Sequence, residues 1–236
     1  MAKPNLYLII DTETTEFSHV ADFAGVVVNS KGEILDQFSC LVAEYYQTER
    51  LFFDKNSPLA IWTLAGLKRR KNNYEMMLAS GERVLSSINA VNCWLTQIKE
   101  RYSNKHNLRI TAYNYAFDLD KCSKSGINLS GFNTFCLWQA ALGNITHKRA
   151  YKNHVLENHL FNKVTKSRNA TYSTNAENVA WFCKGFFEQE KHEALSDILD
   201  FELAILLKVI KSKNWYKNSM SYSWHKHQLR DHYKVR

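Results

Sequence analysis

The sequence predicts an α/β domain built on a mixed β-sheet flanked by helices. Three observations carry that expectation. Short apolar, strand-like segments crowd the first 42 residues. After them, strand-like and helix-like segments alternate, the pattern of a sheet covered by helices. Prolines number two and glycines eight among 236 residues, so no long flexible linker is evident.

The first strand is Asn5 to Ile10, a short apolar run bounded by polar residues. Asp22–Val28 and Glu33–Val42 are two more. Between them N-S-K-G at 29–32 suits a hairpin turn, with Gly32 supplying a positive φ. An antiparallel meander is therefore expected. Ser57-Pro58 reads as a helix start, with Trp62 and Leu64 following and core packing as their expected role. Lys68, Arg69, Arg70 and Lys71 form a basic run with two readings, a solvated face or a phosphate contact.

Val84, Ile88, Val91, Leu95 and Ile98 recur at helical spacing after Ser80-Gly81, which predicts an amphipathic helix. Arg109–Ala112 is a short strand, and Phe117–Ser125 a helix ending at Gly126. Phe132–Leu137 is the last strand expected, about the fifth. Helical pieces follow near 151–160 and 176–187. A final helix runs from about Glu193 to Ile210, with Leu195, Leu199, Glu202, Leu206 and Val209 along one stripe.

Hydrophobic residues make up 45% and charged residues 23%, as in globular proteins. No apolar run approaches a membrane span, and MAKPNLYLII lacks a cleavable signal pattern. Five scattered cysteines without a C-x-x-C pair argue for reduced thiols and against a zinc cluster. A cytoplasmic protein without membrane contact is expected. Net charge is +8, which suggests a polyanionic partner. From Lys211 onward seven basic residues face only Asp231, so the body (1–210) is nearly neutral and the tail (211–236) is basic.

Three acidic segments stand beside element boundaries. In LIIDTETTEF, residues 8–17, Asp11 and Glu13 are two apart on a strand and share a face. Two carboxylates there favour a cation, and Mg²⁺ takes oxygen ligands from such a pair. In ITAYNYAFDLDKC, residues 110–122, Asp118 and Asp120 both suit the first turn of a helix, and the local pattern does not choose between them. In KHEALSDILDFE, residues 191–202, His192 and Asp197 are five apart. On one continuous helix they would diverge by roughly 140°, so they converge only if His192 lies in the loop before it.

Taken together, D-T-E-T-T at 11–15, N-Y-A-F-D at 114–118 and H-E-A-L-S-D at 192–197 resemble the DEDDh-type 3′–5′ exonucleases, the group of the proofreading epsilon subunit, ribonuclease T and oligoribonuclease. The hairpin GVVVNSKGEILDQF resembles the strand pair after that family's first motif. The resemblance spans roughly residues 5 to 210. It implies a ribonuclease H-like fold and removal of nucleotides from 3′ ends. Asp11, Glu13 and Asp197 would hold one Mg²⁺ or Mn²⁺, and Asp11 would bridge to a second, on the side of Asp118. Two ions so placed stabilise attacking and leaving oxygens together. His192 would be the general base. The related branch with a tyrosine base would place it at position 193, which is glutamate here.

The resemblance also selects Asp118 over Asp120, makes Phe117 a core residue and has Asn114 tie down the local backbone. Thr14, Thr15, Phe17 and Asn114 become candidate substrate contacts, and Trp62 and Leu64 lie where relatives place a base-wedging loop, as the alternative to core packing. Two departures stand out. Glu16 occupies the place of the motif's glycine, and Tyr113 stands where several relatives have histidine. In the tail, Trp215, Tyr216, Tyr222, Trp224 and Tyr233 lie among basic residues, which suits single-stranded nucleic acid or packing against the body or a second subunit. His225 and His227 form an H-x-H pair. The expected partners are single-stranded DNA or RNA 3′ ends, with a polymerase or homodimer partner through the tail. The alternative function is a proofreading or nucleic-acid-binding subunit that docks onto a polymerase.

Overall fold

The computed structural model of the chain describes residues 3–164, 170–223 and 226–229. The first half runs β1 (Asn5–Thr14), β2 (Val20–Asn29), β3 (Ile34–Val42), α1 (Ala43–Tyr46), α2 (Leu64–Ser80), β4 (Leu85–Ser86), α3 (Ile88–Tyr102), β5 (Asn107–Thr111), α4 (Tyr115–Lys124) and β6 (Asn133–Thr134). The second runs α5 (Leu137–Ala141), α6 (Arg149–Glu157), β7 (Phe161–Val164), β8 (Ala170–Tyr172), α7 (Ala176–Lys184), α8 (Ala194–Asp197), α9 (Leu203–Ile210) and β9 (Gln228–Leu229).

The α/β class and the mixed sheet are as expected. The main sheet has the order β4-β3-β2-β1-β5-β6. β1, β2 and β3 form the antiparallel meander, while β5 runs parallel to β1, β6 to β5 and β4 to β3. It has six strands rather than about five, because Leu85–Ser86 adds an edge strand too short to leave a periodic signal. A separate sheet, β7-β8-β9, was not expected at all. Leu8, Ile9 and Ile10 are completely buried, which is why their run is uniformly apolar rather than alternating.

Several boundaries moved for identifiable reasons. Helix α2 starts at Leu64, not at Ser57-Pro58, because the Thr63 hydroxyl caps it by accepting from the Gly66 amide. Gly66 is required there, since a Cβ would lie 2.2 Å from the Ile61 carbonyl oxygen. Ser80-Gly81 ends this helix instead of introducing the next, with Gly81 left-handed at φ 78°. Ser87 caps α3, so Val84 lies outside the helix and is exposed, while Val91, Leu95 and Ile98 face the core. The strand expected at Phe132–Leu137 shrinks to Asn133–Thr134, and Leu137 begins α5.

The contacts divide the chain into two compact units. The first comprises residues 1–111, 116–134 and 192–198, and holds the main sheet. In it Ala21, Leu41, Leu51, Leu67, Tyr74 and Met77 form a cluster that seats α2. Helix α8 packs on β1 and β2.

The second unit comprises residues 112–115, 135–191 and 199–236. Helix α9 packs on α5 and α7 there. The described tail residues belong to this unit. Trp215 is buried against Phe135, and Tyr222 stacks on Trp138 and His227, so these aromatics serve packing. Tyr216 is exposed. His227 is buried with its Nδ1 on the Ser223 carbonyl; Trp224, His225 and Tyr233 lie outside the described residues. Among the described residues no helix is long and apolar enough to cross a membrane.

Candidate metal centre

The backbone of β1 sets the first part of the site. Asp11 pairs across the sheet with Ala24, and Glu13 with Asp22. Opposite residues share a face, so three carboxylates crowd one side of the strand pair. The structure resolves this by sending Asp22 elsewhere. Its carboxylate is wholly buried, lies 3.5 Å from an Arg83 nitrogen, and accepts from the Tyr74 hydroxyl at 3.0 Å and the Ala194 amide at 3.0 Å. Burial still holds its carboxyl above the usual range, and Arg83 pulls it back.

That bond to Ala194 seats the first turn of α8, with the loop residue His192 just before it. His192 is left-handed at φ 57°, a conformation that L side chains rarely adopt. The expectation that it precedes the helix is thus met, and the turn brings it back toward Asp197. Of the expected stripe, Glu202, Leu206 and Val209 are buried, while Leu195 and Leu199 are only half-buried; Ala194, Asp197, Ile198, Phe201 and Ile205 are buried as well. Asp197 therefore points inward. A wide π-helical turn, Ile198–Glu202, lies between α8 and α9, so the expected helix is not uniform.

Glu13, His192 and Asp197 converge: each offers a ligand atom, all within 4.8 Å of one another. The group can hold a metal ion. Its donors are two carboxylates and one imidazole, which suits a divalent ion that prefers oxygen and accepts nitrogen. Nδ1 of His192 is 3.7 Å from Oε1 of Glu13. Burial, and then the charge of Arg70, pushes the imidazole down to about 4, so His192 is neutral at pH 7 and this approach is not an ion pair.

Asp118 reaches the same stretch of β1 from α4. It is buried and accepts from the Thr12 hydroxyl at 2.8 Å, between Asp11 and Glu13 in sequence. Burial pushes its carboxyl up to about 7, against the lowering effect of that bond. Asp118 and Asp11 both bear on the buried Cys122 thiol and raise it further. Asp120 is half-exposed and paired with Lys121 and Lys124. The choice of Asp118 over Asp120 thus agrees with burial and bonding.

Position 193, where a tyrosine base would stand, is committed to holding the fold. Glu193 accepts from Asn73 and from the Ser196 hydroxyl. Thr15 donates its hydroxyl to Glu49 at 2.5 Å, and Thr14 offers its carbonyl to the Phe52 amide, so these threonines serve the local loop. Phe17 is 65% exposed. Glu16 is exposed, and the left-handed residue of this loop is Ser18, at φ 70°. Position 16 therefore does not require glycine.

Two expectations around α4 fail. Phe117 is 43% exposed rather than in the core, with Lys121 over its ring. The exposed Asn114 side chain makes no hydrogen bond among the described residues. Core packing, expected of Trp62 and Leu64, fails for Leu64, which is exposed, while Trp62 is half-buried with its ring 4.4 Å from that of His192. The sequence placed Asp22 at the start of a strand but not beside the site; its signal was one acid inside the apolar strand VADFAGVVV. It left Arg70 undecided among the four basic residues of its run.

No family model matches the chain, and a search of the curated proteins finds no match. The residues themselves carry the functional argument.

Proposed function

We propose that the chain is a metal-dependent 3′–5′ exonuclease. It hydrolyses phosphodiester bonds at the 3′ ends of nucleic acid, preferentially single-stranded, and releases nucleoside 5′-monophosphates. One observation carries this reading: Glu13 from the first strand meets His192 and Asp197 from far down the chain, within 4.8 Å. These are motif residues of the exonucleases that the sequence resembles. An antiparallel meander followed by parallel strands supports a ribonuclease H-like fold.

Two divalent ions, Mg²⁺ or Mn²⁺, would neutralise the charge of the attacking and leaving oxygens. Asp11, Glu13 and Asp197 are the residues for one and Asp118, with Asp11, for the other. In this reading the carboxylates hold the ions and His192 is not a ligand: neutral at pH 7, it can accept the proton of the attacking water. Phe17 offers a face for the terminal base.

The test is a time course with 3′- and 5′-labelled single-stranded DNA and RNA, with Mg²⁺ or Mn²⁺ and with chelator. Stepwise loss of the 3′ label as mononucleotide, abolished by chelator, is expected. No cation-dependent loss of the 3′ label from either nucleic acid would overturn the proposal. So would retained Mg²⁺-dependent degradation by a folded Asp118→Ala variant.

A further inference from the structure

Arg70 is 4% exposed, although Lys68, Arg69 and Lys71 around it all face solvent. Burying a guanidinium is costly unless a carboxylate and full hydrogen bonding compensate. Among the described residues Arg70 has no carboxylate at ion-pairing distance. One terminal nitrogen donates to the Phe52 carbonyl at 2.5 Å, and the Trp62 ring lies 4.8 Å from Cζ. Its Nε is buried with no acceptor. Burial lowers the pKa of the group, and the charge of Glu13 restores part of it.

The cation therefore has a place but an incomplete set of partners. That place is beside the candidate metal centre, since the same Trp62 ring lies 4.4 Å from His192. Anchoring the Phe52 loop would use one of five donors and would not need a charge. A divalent cation at Glu13 and Asp197 would leave Arg70 facing a like charge. An anion able to touch both removes that conflict and supplies the absent acceptor.

We propose that Arg70 is the phosphate-binding residue of this site, its guanidinium taking oxygens of the phosphoryl group at the substrate's 3′-terminal linkage. The phosphate class rests on the nuclease reading above. A planar fork of N–H groups matches phosphate oxygens in pairs, which a lysine cannot do. Arg70 is a binding residue in this proposal and moves no proton.

The experiment titrates thymidine 5′-monophosphate into the full chain with Mn²⁺ present, and Mn²⁺ alone, by calorimetry. Arg70→Gln keeps a donor for the Phe52 carbonyl and removes the charge. It should bind Mn²⁺ at least as tightly as the parent and bind the nucleotide about 10- to 100-fold more weakly, the usual loss for a charged hydrogen bond. Arg70→Lys should fall between the two. Parent-like nucleotide affinity in a folded Arg70→Gln overturns the assignment while leaving the nuclease reading intact. A parent that binds neither Mn²⁺ nor the nucleotide overturns both. If Arg70→Gln does not fold, Arg70→Lys decides, because parent-like affinity there excludes a paired guanidinium contact.

Discussion

Asp22 accepts a hydrogen bond from the Ala194 amide at 3.0 Å, across 172 positions of sequence. This bond ties the strand opposite Glu13 to the turn that carries His192 and Asp197. It makes a residue outside the metal group responsible for that group's geometry.

Asp22→Ala should therefore act twice. It strands Arg83, itself 4% exposed, without its carboxylate. Loss of about 3–5 kcal/mol is expected from removing one partner of a buried ion pair. Urea denaturation reads that loss. Mn²⁺ affinity should fall as well, because the turn before α8 loses its anchor. Unchanged stability would show that the Asp22–Arg83 pair contributes nothing.

His192 separates folding from function. Its left-handed backbone is strained for any residue with a Cβ. His192→Gly should be more stable than His192→Ala by about 1 kcal/mol, the cost of that conformation for an L residue. On the proposed exonuclease reading, both variants should lose rate by roughly 10²–10⁴-fold, the usual range for a missing general base. Equal stability of the two variants would argue against the left-handed turn.

The pH dependence of cation-free stability follows from Asp118. Its carboxyl sits at about 7 when folded, against an ordinary value of 3.8. Between those values the folded state holds a proton that the unfolded state has released. This group therefore makes stability fall as pH rises through that window, by at most about 1.4 kcal/mol per pH unit. His192 acts oppositely below its ordinary value of 6.5, because it is held neutral down to about 4. Comparing variant with parent isolates the aspartate. In chelator, Asp118→Asn should match the parent near pH 4 and exceed it at pH 8 by on the order of a few kcal/mol. A variant less stable than the parent at pH 8 would contradict the buried charge.

In the second unit, Gly143 and Asn144 hold the start of the tail. A Cβ on Gly143 would lie 1.6 Å from the Asn218 carbonyl oxygen, and backbone cannot yield as a side chain can. The Asn144 amide donates to the Trp215 carbonyl at 2.9 Å. Gly143→Ala should cost about 1–3 kcal/mol, as overpacking does. Amide exchange of residues 214–219 should speed up with it. Deleting residues 211–236 removes buried Trp215 and should lower the melting temperature. An unchanged melting temperature after the deletion would mean that the tail only rests on this unit.

Much of the scaffold was legible because local patterns suffice for it. The β1–β3 meander follows from apolar runs and one turn, and α3 from a stripe at helical spacing. The two-residue strands β4 and β9 were not legible, because two residues carry no period, and β6 was expected but over the longer Phe132–Leu137. The π-helical turn after α8 was equally hidden, since its wider winding leaves the residue types unchanged.

The sequence by itself determined where the candidate residues stand: Asp11 and Glu13 on one strand face, a histidine at the approach to a helix, and an aspartate within it. Spacing along a strand or helix decides which side chains share a face, so that much is local. Only the tertiary structure decided that Glu13, His192 and Asp197 meet, that Asp118 rather than Asp120 is buried, and that Arg70 alone of its basic run turns inward. Those outcomes depend on contacts between distant segments, such as Asp22 with Ala194 and Thr12 with Asp118. Long-range packing selects among local alternatives that are otherwise nearly equal in energy, and residue spacing does not record it.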